Sequence, residues 1–145
     1  MKGIALPLLC SVLLLVFPAP SGSETVLRMV GLEDVGGAWT EIIRGFHERH
    51  PDIKIRYISG PWSTDERQVM YVRSFLSGDP FELVYMDVIW TAKFAEKGWL
   101  HSLDGWFPPE RRKDFLPGDI EAGQYRGRFY RAPVRSDAGV LYYRK

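Results

Sequence analysis

Three times between Thr25 and Gly98 the apolar residues pass from strand-like spacing to spacing of three and four, and this alternation constrains the fold more than any other feature. Thr25-Val26-Leu27-Arg28-Met29-Val30 predicts a strand, with Gly31 the first residue able to turn sharply out of it. Trp39, Ile42, Ile43 and Phe46 then set one apolar helix face against Thr40, Glu41, Arg44, Glu48 and Arg49, and His50-Pro51 stops that helix. Ile53, Ile55 and Tyr57 alternate with Lys54 and Arg56 as a second strand. Ser63-Thr64-Asp65-Glu66 has the pattern of a capping box. It precedes a helix whose buried stripe is expected at Val69, Val72, Phe75 and Leu76, and which Gly78 is placed to end. Leu83-Val84-Tyr85-Met86 is the apolar run of a central parallel strand covered on both faces, and Ile89, Trp90, Phe94 and Ala95 begin a third helical repeat closed by Gly98. This order predicts an α/β fold, an open three-layer α/β/α sheet, whose ligands lie beyond the carboxyl ends of the strands.

After His101 the periodicity weakens, and Asp104, Gly105, Pro108, Pro109, Pro117 and Gly118 mark loops around short helices at most. Tyr125 to Tyr130 reads as a tight hairpin turning at Arg126-Gly127. Gly139-Val140-Leu141-Tyr142-Tyr143 begins a fresh strand that requires further strands to pair with, so an amino-terminal fragment is expected.

The start of the chain, one lysine followed by an apolar run to Phe17 and small residues at Ala19, Ser21 and Ser23, predicts a secretory signal peptide over residues 1–23. A membrane anchor is the alternative, disfavoured because strongly polar sequence follows without a stop-transfer pattern. From Glu24 onward acidic and basic residues balance, so bulk charge points to neither nucleic acid nor an anionic membrane. That part contains no cysteine either: an exported chain without disulfides is held by its core, and it offers neither a thiol nucleophile nor a thiolate ligand.

No glycine-rich phosphate loop, His-Glu-x-x-His or calcium loop occurs, and His47, His50 and His101 lack ligand spacing, so no metal and no cofactor are expected. What remains is a set of residues at predicted strand ends: Gly31-Leu32-Glu33, Trp62-Ser63-Thr64 with Arg67, Asp87-Val88-Ile89-Trp90, and Arg135-Ser136-Asp137. If the three strands run parallel, the first three groups converge on one rim, where mixed charges can bond neutral hydroxyls and an indole can cover the C–H face of a pyranose. Each has a structural alternative: Trp90 can pack the start of its helix, Asp87 can cap that helix, Glu33 and Arg67 can be solvated loop charges, and Trp39, Trp99 and Trp106 read as core.

Glu82 to Leu100 resembles the third strand and following helix of extracellular sugar-binding proteins of ABC importers, particularly the trehalose/maltose-binding kind. Tyr125 to Lys145, with Phe129-Tyr130-Arg131-Ala132-Pro133 and Asp137-Ala138-Gly139-Val140-Leu141-Tyr142-Tyr143, resembles that family's crossover from first lobe to second. The resemblance implies a type II periplasmic-binding-protein lobe over residues 24–132 and a hinge crossover over 133–145. It also implies a periplasmic or extracellular monomer that passes a mono- or oligosaccharide to ABC permease subunits. On that pattern Asp87 accepts sugar hydroxyls, Glu33 and Arg67 add contacts, Trp90 lines the cleft near its opening and Asp137 holds the ligand beside the crossover. Val134-Arg135-Ser136 stands where such proteins often carry a more aromatic run.

Three other readings compete. A secreted glycosidase would use Asp87 and Asp137 as its carboxylate pair, with one pKa raised by burial or by the other charge. A binding protein for an amino acid, polyamine or iron would carry a compensating charge cluster. A nonfunctional truncated product would expose an unpaired sheet edge.

Overall fold

The computed structural model describes residues 24–137 and 139–144, and the expected signal segment lies outside them. Thr25–Gly31 (β1), Ile53–Ser59 (β2) and Leu83–Val84 (β3) form a parallel sheet in the order β2-β1-β3, connected through helices Ala38–Arg49 (α1) and Thr64–Leu76 (α2). The chain steps from β1 out to β2, then back across β1 to β3. Right-handed crossovers in opposite directions put the two helices on opposite faces. The side chains follow: Tyr57 stacks on Trp39 of α1, with ring centroids 6.0 Å apart, while the next residue, Ile58, packs against the cluster of Val30 and Tyr71 on the α2 side.

This topology corrects the expectation of a central third strand. Among the described residues β1 is the central strand, and β3 is a two-residue edge paired through Met29 with Leu83 and Val30 with Val84. Leu83 is accordingly partly open to solvent. The strand expected at 139–143 forms no ladder among the described residues, and Val140, Leu141, Tyr142 and Tyr143 are exposed, since extended backbone becomes a strand only with a partner.

The main core is Val30, Tyr71, Trp90 and Phe94, with Phe75 and Trp99 against it. Tyr71 meets Trp90 edge-on at 5.9 Å and Phe75 meets Phe94 edge-on at 5.4 Å, the geometry aromatic quadrupoles favour. The Tyr71 hydroxyl donates to Tyr85 O at 2.8 Å, so this buried ring brings no orphaned polar atom, and burial raises its pKa and keeps it a donor.

Both long helices keep part of the expected apolar face, with Val72 and Phe75 of α2 against the core and Trp39 of α1 on Tyr57, but not all of it. In α2 the buried residues are Arg67 and Tyr71, whereas Val69 and Leu76 face solvent. In α1 Ile42 is exposed, and half-buried His47 accepts a hydrogen bond at Nε2 from Ile55 N at 2.8 Å. Residue type explains both: an arginine stem, a tyrosine and an imidazole are all amphipathic and can occupy an inward face. Ser63 caps α2 through Glu66 N at 3.4 Å, without the return bond of a full capping box.

Beyond β3 the chain forms a 3-10 turn at Val88–Trp90, helices Thr91–Glu96 (α3), Pro109–Arg112 (α4) and Pro117–Ala122 (α5), and a hairpin of Gln124–Tyr125 (β4) with Arg128–Phe129 (β5). Arg126 at φ 47° and Gly127 at φ 76° make the two-residue turn, which needs positive φ at both central positions. Asp104 fastens the hairpin, accepting from Phe129 N at 3.1 Å and from Arg112 Nη2 at 2.8 Å. Trp106, expected in the core, is 73% exposed beside this loop.

Candidate functional site

The carboxyl ends of all three parallel strands open onto one cleft of about 490 Å³. Leu32 follows β1, Trp62 and Thr64 follow β2, Asp87 follows β3, and Arg131, Arg135, Ser136 and Asp137 complete the lining with Asp119 of α5. A second recess of about 620 Å³ runs along the free edge of β3, but much of its lining, including Met29, Phe75, Leu83, Trp99, Leu103 and Val134, is apolar. The strand-end cleft holds the more convergent set of polar groups, and these can orient a ligand.

Asp87 is half-buried. Its Oδ1 accepts from Ile89 N at 3.3 Å, capping the 3-10 turn, and its Oδ2 makes no hydrogen bond among the described residues. One oxygen therefore fixes the carboxylate and the other can receive a hydroxyl. Asp137 is well exposed and ion-paired with Arg135 at 3.2 Å. The Arg135 guanidinium also lies 5.9 Å from the Tyr85 ring centroid. Ser136 Oγ donates to Asp119 Oδ1 at 3.4 Å, and Arg131 Nη2 reaches Asp119 O at 3.5 Å.

Arg67 lines the cleft but is only 4% exposed. Its Nη1 donates to Pro61 O at 2.8 Å and Trp62 O at 3.2 Å, and its guanidinium lies 5.8 Å from the centroid of the Trp90 ring.

Two of the expected contacts sit elsewhere. Trp90 is 2% exposed within the Tyr71–Phe94 cluster, so no indole face is left to line the opening; edge-on contact with Tyr71 fixed it as core. Glu33 is exposed and outside the residues lining the cleft. Its neighbour Asp34 is held instead at the start of α1, accepting from Trp39 N at 3.0 Å and Thr40 N at 2.8 Å. Burial pushes the Asp34 carboxyl up, but the bonds from Thr40 and Trp39 outweigh it and leave the pKa below the usual range.

Asp119, Arg131 and Tyr85 were not selected from sequence. Arg131 stands directly after the hairpin and inside the block that resembles the lobe crossover, with no role of its own legible there. Among the described residues no cluster of three or more His, Cys, Asp or Glu could hold a metal ion.

The family model described as "Bacterial extracellular solute-binding protein" matches residues 31–145. The mannitol-binding protein of Pseudomonas aeruginosa is 27% identical over 98% of this chain and 30% of its own length. Among solved structures, maltose-bound T. maritima MalE3 is 31% identical over 72% of this chain and 27% of that one, with a TM-score of 0.64. UgpB from Mycobacterium tuberculosis in complex with glycerophosphocholine shares the fold at 22% identity, covering 74% of this chain and 28% of that one, with a TM-score of 0.66. The chain spans 28%, 30% and 25% of the length of three curated relatives it matches. The overall fold is what those solved proteins share with it, and the chain belongs to the bacterial extracellular solute-binding protein family.

Proposed function

We propose that this cleft is the first-lobe half of a carbohydrate site, and that the chain acts outside the membrane as the solute-capturing component of an ABC importer, binding without catalysis. The observation that carries the reading is the meeting of Asp87, Asp137, Arg131 and Arg135 with Leu32, Trp62 and Thr64 at three parallel strand ends. Carboxylates and guanidiniums in equal measure neutralise one another and leave donors and acceptors for neutral hydroxyls, whereas an ionic solute requires an excess of one sign. Maltose in the MalE3 structure and mannitol in the name of the Pseudomonas relative are both neutral polyols, which supports a mono- or oligosaccharide of the maltose or trehalose type.

In this reading Asp87 accepts sugar hydroxyls through Oδ2 and Asp137 holds the ligand beside the crossover. Residues 24–132 form one lobe, and 133–145 lead toward another that closes over the ligand and presents it to permease subunits. Calorimetric titration with maltose, trehalose, mannitol and glycerophosphocholine tests it. Saturable binding of a neutral sugar that weakens in Asp87→Asn supports the reading. Preference for glycerophosphocholine, or hydrolysis of a chromogenic glucoside that Asp87→Ala abolishes, contradicts it.

A further inference from the structure

Resting on the carbohydrate reading of the cleft, we infer that Trp62, not Trp90, is the aromatic surface of this lobe on which a sugar ring lies, and that Arg67 is the positioning residue that holds it there. Trp62 and Trp106 are the two exposed indoles, and only Trp62, at 76% exposure, lines the cleft. It lines the same cleft as Asp87 and Thr64, so the cleft offers both an apolar ring and groups that can bond the hydroxyls at a ring's edge. That is the combination a pyranose presents, with C–H bonds on its faces and hydroxyls around them.

The loop carrying Trp62 is held on both sides. Gly60 N donates to Gly31 O at 2.7 Å, and a Cβ added at Gly60 would stand 3.0 Å from Val30 Cγ1 and 3.2 Å from Gly31 O, so the loop lies directly on β1. Pro61 fixes its own φ. Ser63 caps α2 immediately afterwards. Between these anchors the Arg67 Nη1 bonds to Pro61 O and Trp62 O. A buried guanidinium committed to two backbone carbonyls and the Trp90 ring acts on a ligand through the loop it fixes. A platform ordered before binding loses less conformational entropy when the sugar arrives, and that is the advantage the clamp confers.

The test follows the indole Nε1–H of Trp62 by NMR in the ¹⁵N-labelled chain, titrated with maltose, trehalose and mannitol up to high millimolar concentration. Trp62 is expected to shift with the same apparent Kd as the amides of Asp87 and Thr64. Trp62→Ala is expected to weaken binding about five- to tenfold, and Trp62→Phe to keep most of it. Arg67→Lys is expected to loosen the Trp62 indole in ¹⁵N relaxation and to lose about as much affinity. Added to Trp62→Ala, it should cost nothing further, an epistasis that a direct contact or general destabilisation would not produce. If Arg67→Lys does not fold, the two Trp62 variants still decide the matter, because that side chain is exposed. Shifts at Asp87 that leave the Trp62 indole unmoved, or full affinity in Trp62→Ala, overturn the inference while the carbohydrate reading stands. No shift with any of the three sugars overturns both.

Discussion

The Glu82 carboxylate reaches the central strand beside Arg28 and bonds both its backbone and its side chain: Oε2 accepts from Arg28 N at 2.7 Å and Oε1 accepts from Nη2 at 2.9 Å. β1 and β3 pair only from Met29 and Leu83 onward, so the amide of Arg28 would otherwise face a missing strand. A side chain thus completes the ladder one residue before β3 begins. The same guanidinium bonds Asp79 through both oxygens, at 3.0 and 2.8 Å, and Pro80 O at 2.7 Å, tying the start of the short edge strand to the sheet.

This cluster makes the fold acid-sensitive in a defined direction. Hydrogen bonding from Arg28 holds Glu82 down at about 2 against its ordinary 4.5, and lowers Asp79 as well. Folded carboxyls with depressed pKa bind fewer protons than unfolded ones, so their contribution is complete above the ordinary carboxylate range and lost as pH falls toward 2. Urea denaturation followed by circular dichroism should show stability falling between about pH 4.5 and 2, with a shallower fall in Arg28→Met. An unchanged acid limb in that variant would contradict the assignment.

Gly31 and Tyr57 form a second constraint close to the cleft. The Tyr57 hydroxyl donates to Leu32 O, and its ring passes so near Gly31 that an added Cβ would lie 3.0 Å from Cζ and closer still to the hydroxyl. Gly31 ends β1 with no positive φ, so it is needed for space and not for the sharp turn expected from sequence. Gly31→Ala should cost about 1–3 kcal/mol in thermal or chemical unfolding. Tyr57→Phe should recover part of that cost in the double mutant, a coupling that additive effects would exclude.

The alternation of elements was legible because hydrophobic period and caps are local. Ser63 caps α2, Gly78 and Gly98 take positive φ just past helix ends, and Arg126-Gly127 makes the expected hairpin turn. What was hidden depends on residues distant in sequence. No local pattern tells an edge strand at Leu83–Val84 from a central one, because Leu83 meets Met29 across more than fifty residues. Counting apolar residues placed the stripe of α2 on Val69, Val72, Phe75 and Leu76; Val72 and Phe75 do pack against the core, but Arg67 and Tyr71 are the buried pair and Val69 and Leu76 are exposed. Sequence points to Trp90 as the exposed indole, and only packing shows that the core has taken it and left Trp62 open.

His47 protects the outer edge of the sheet. β2 lies at that edge, and the imidazole of α1 occupies the Ile55 amide that would otherwise be open to another strand. His47→Leu should destabilise the fold by about 1–2 kcal/mol and speed hydrogen exchange at Ile55 more than at Leu27, its neighbour inside the sheet. Equal acceleration at both amides would point to general loosening instead of a lost edge bond.

Asp87 offers the sharpest separation of capping from binding. A micromolar Kd corresponds to about −8 kcal/mol and a millimolar one to about −4 kcal/mol. A ligand held by one lobe and open to water on its other side keeps roughly half of the favourable contacts, so millimolar affinity or weaker is expected for maltose or trehalose on this chain. Asp87→Asn preserves a cap for Ile89 N, because asparagine caps as well as aspartate, and should leave stability within about 0.5 kcal/mol. It removes the negative charge from a side chain that lines the cleft, so binding should weaken about tenfold. Glu33→Gln, outside the cleft, should change affinity less than about twofold. Calorimetry and unfolding on the same three proteins check both halves. Equal affinity in Asp87→Asn would require a ligand site other than this cleft, and micromolar binding by the chain alone would overturn the expectation of weak affinity.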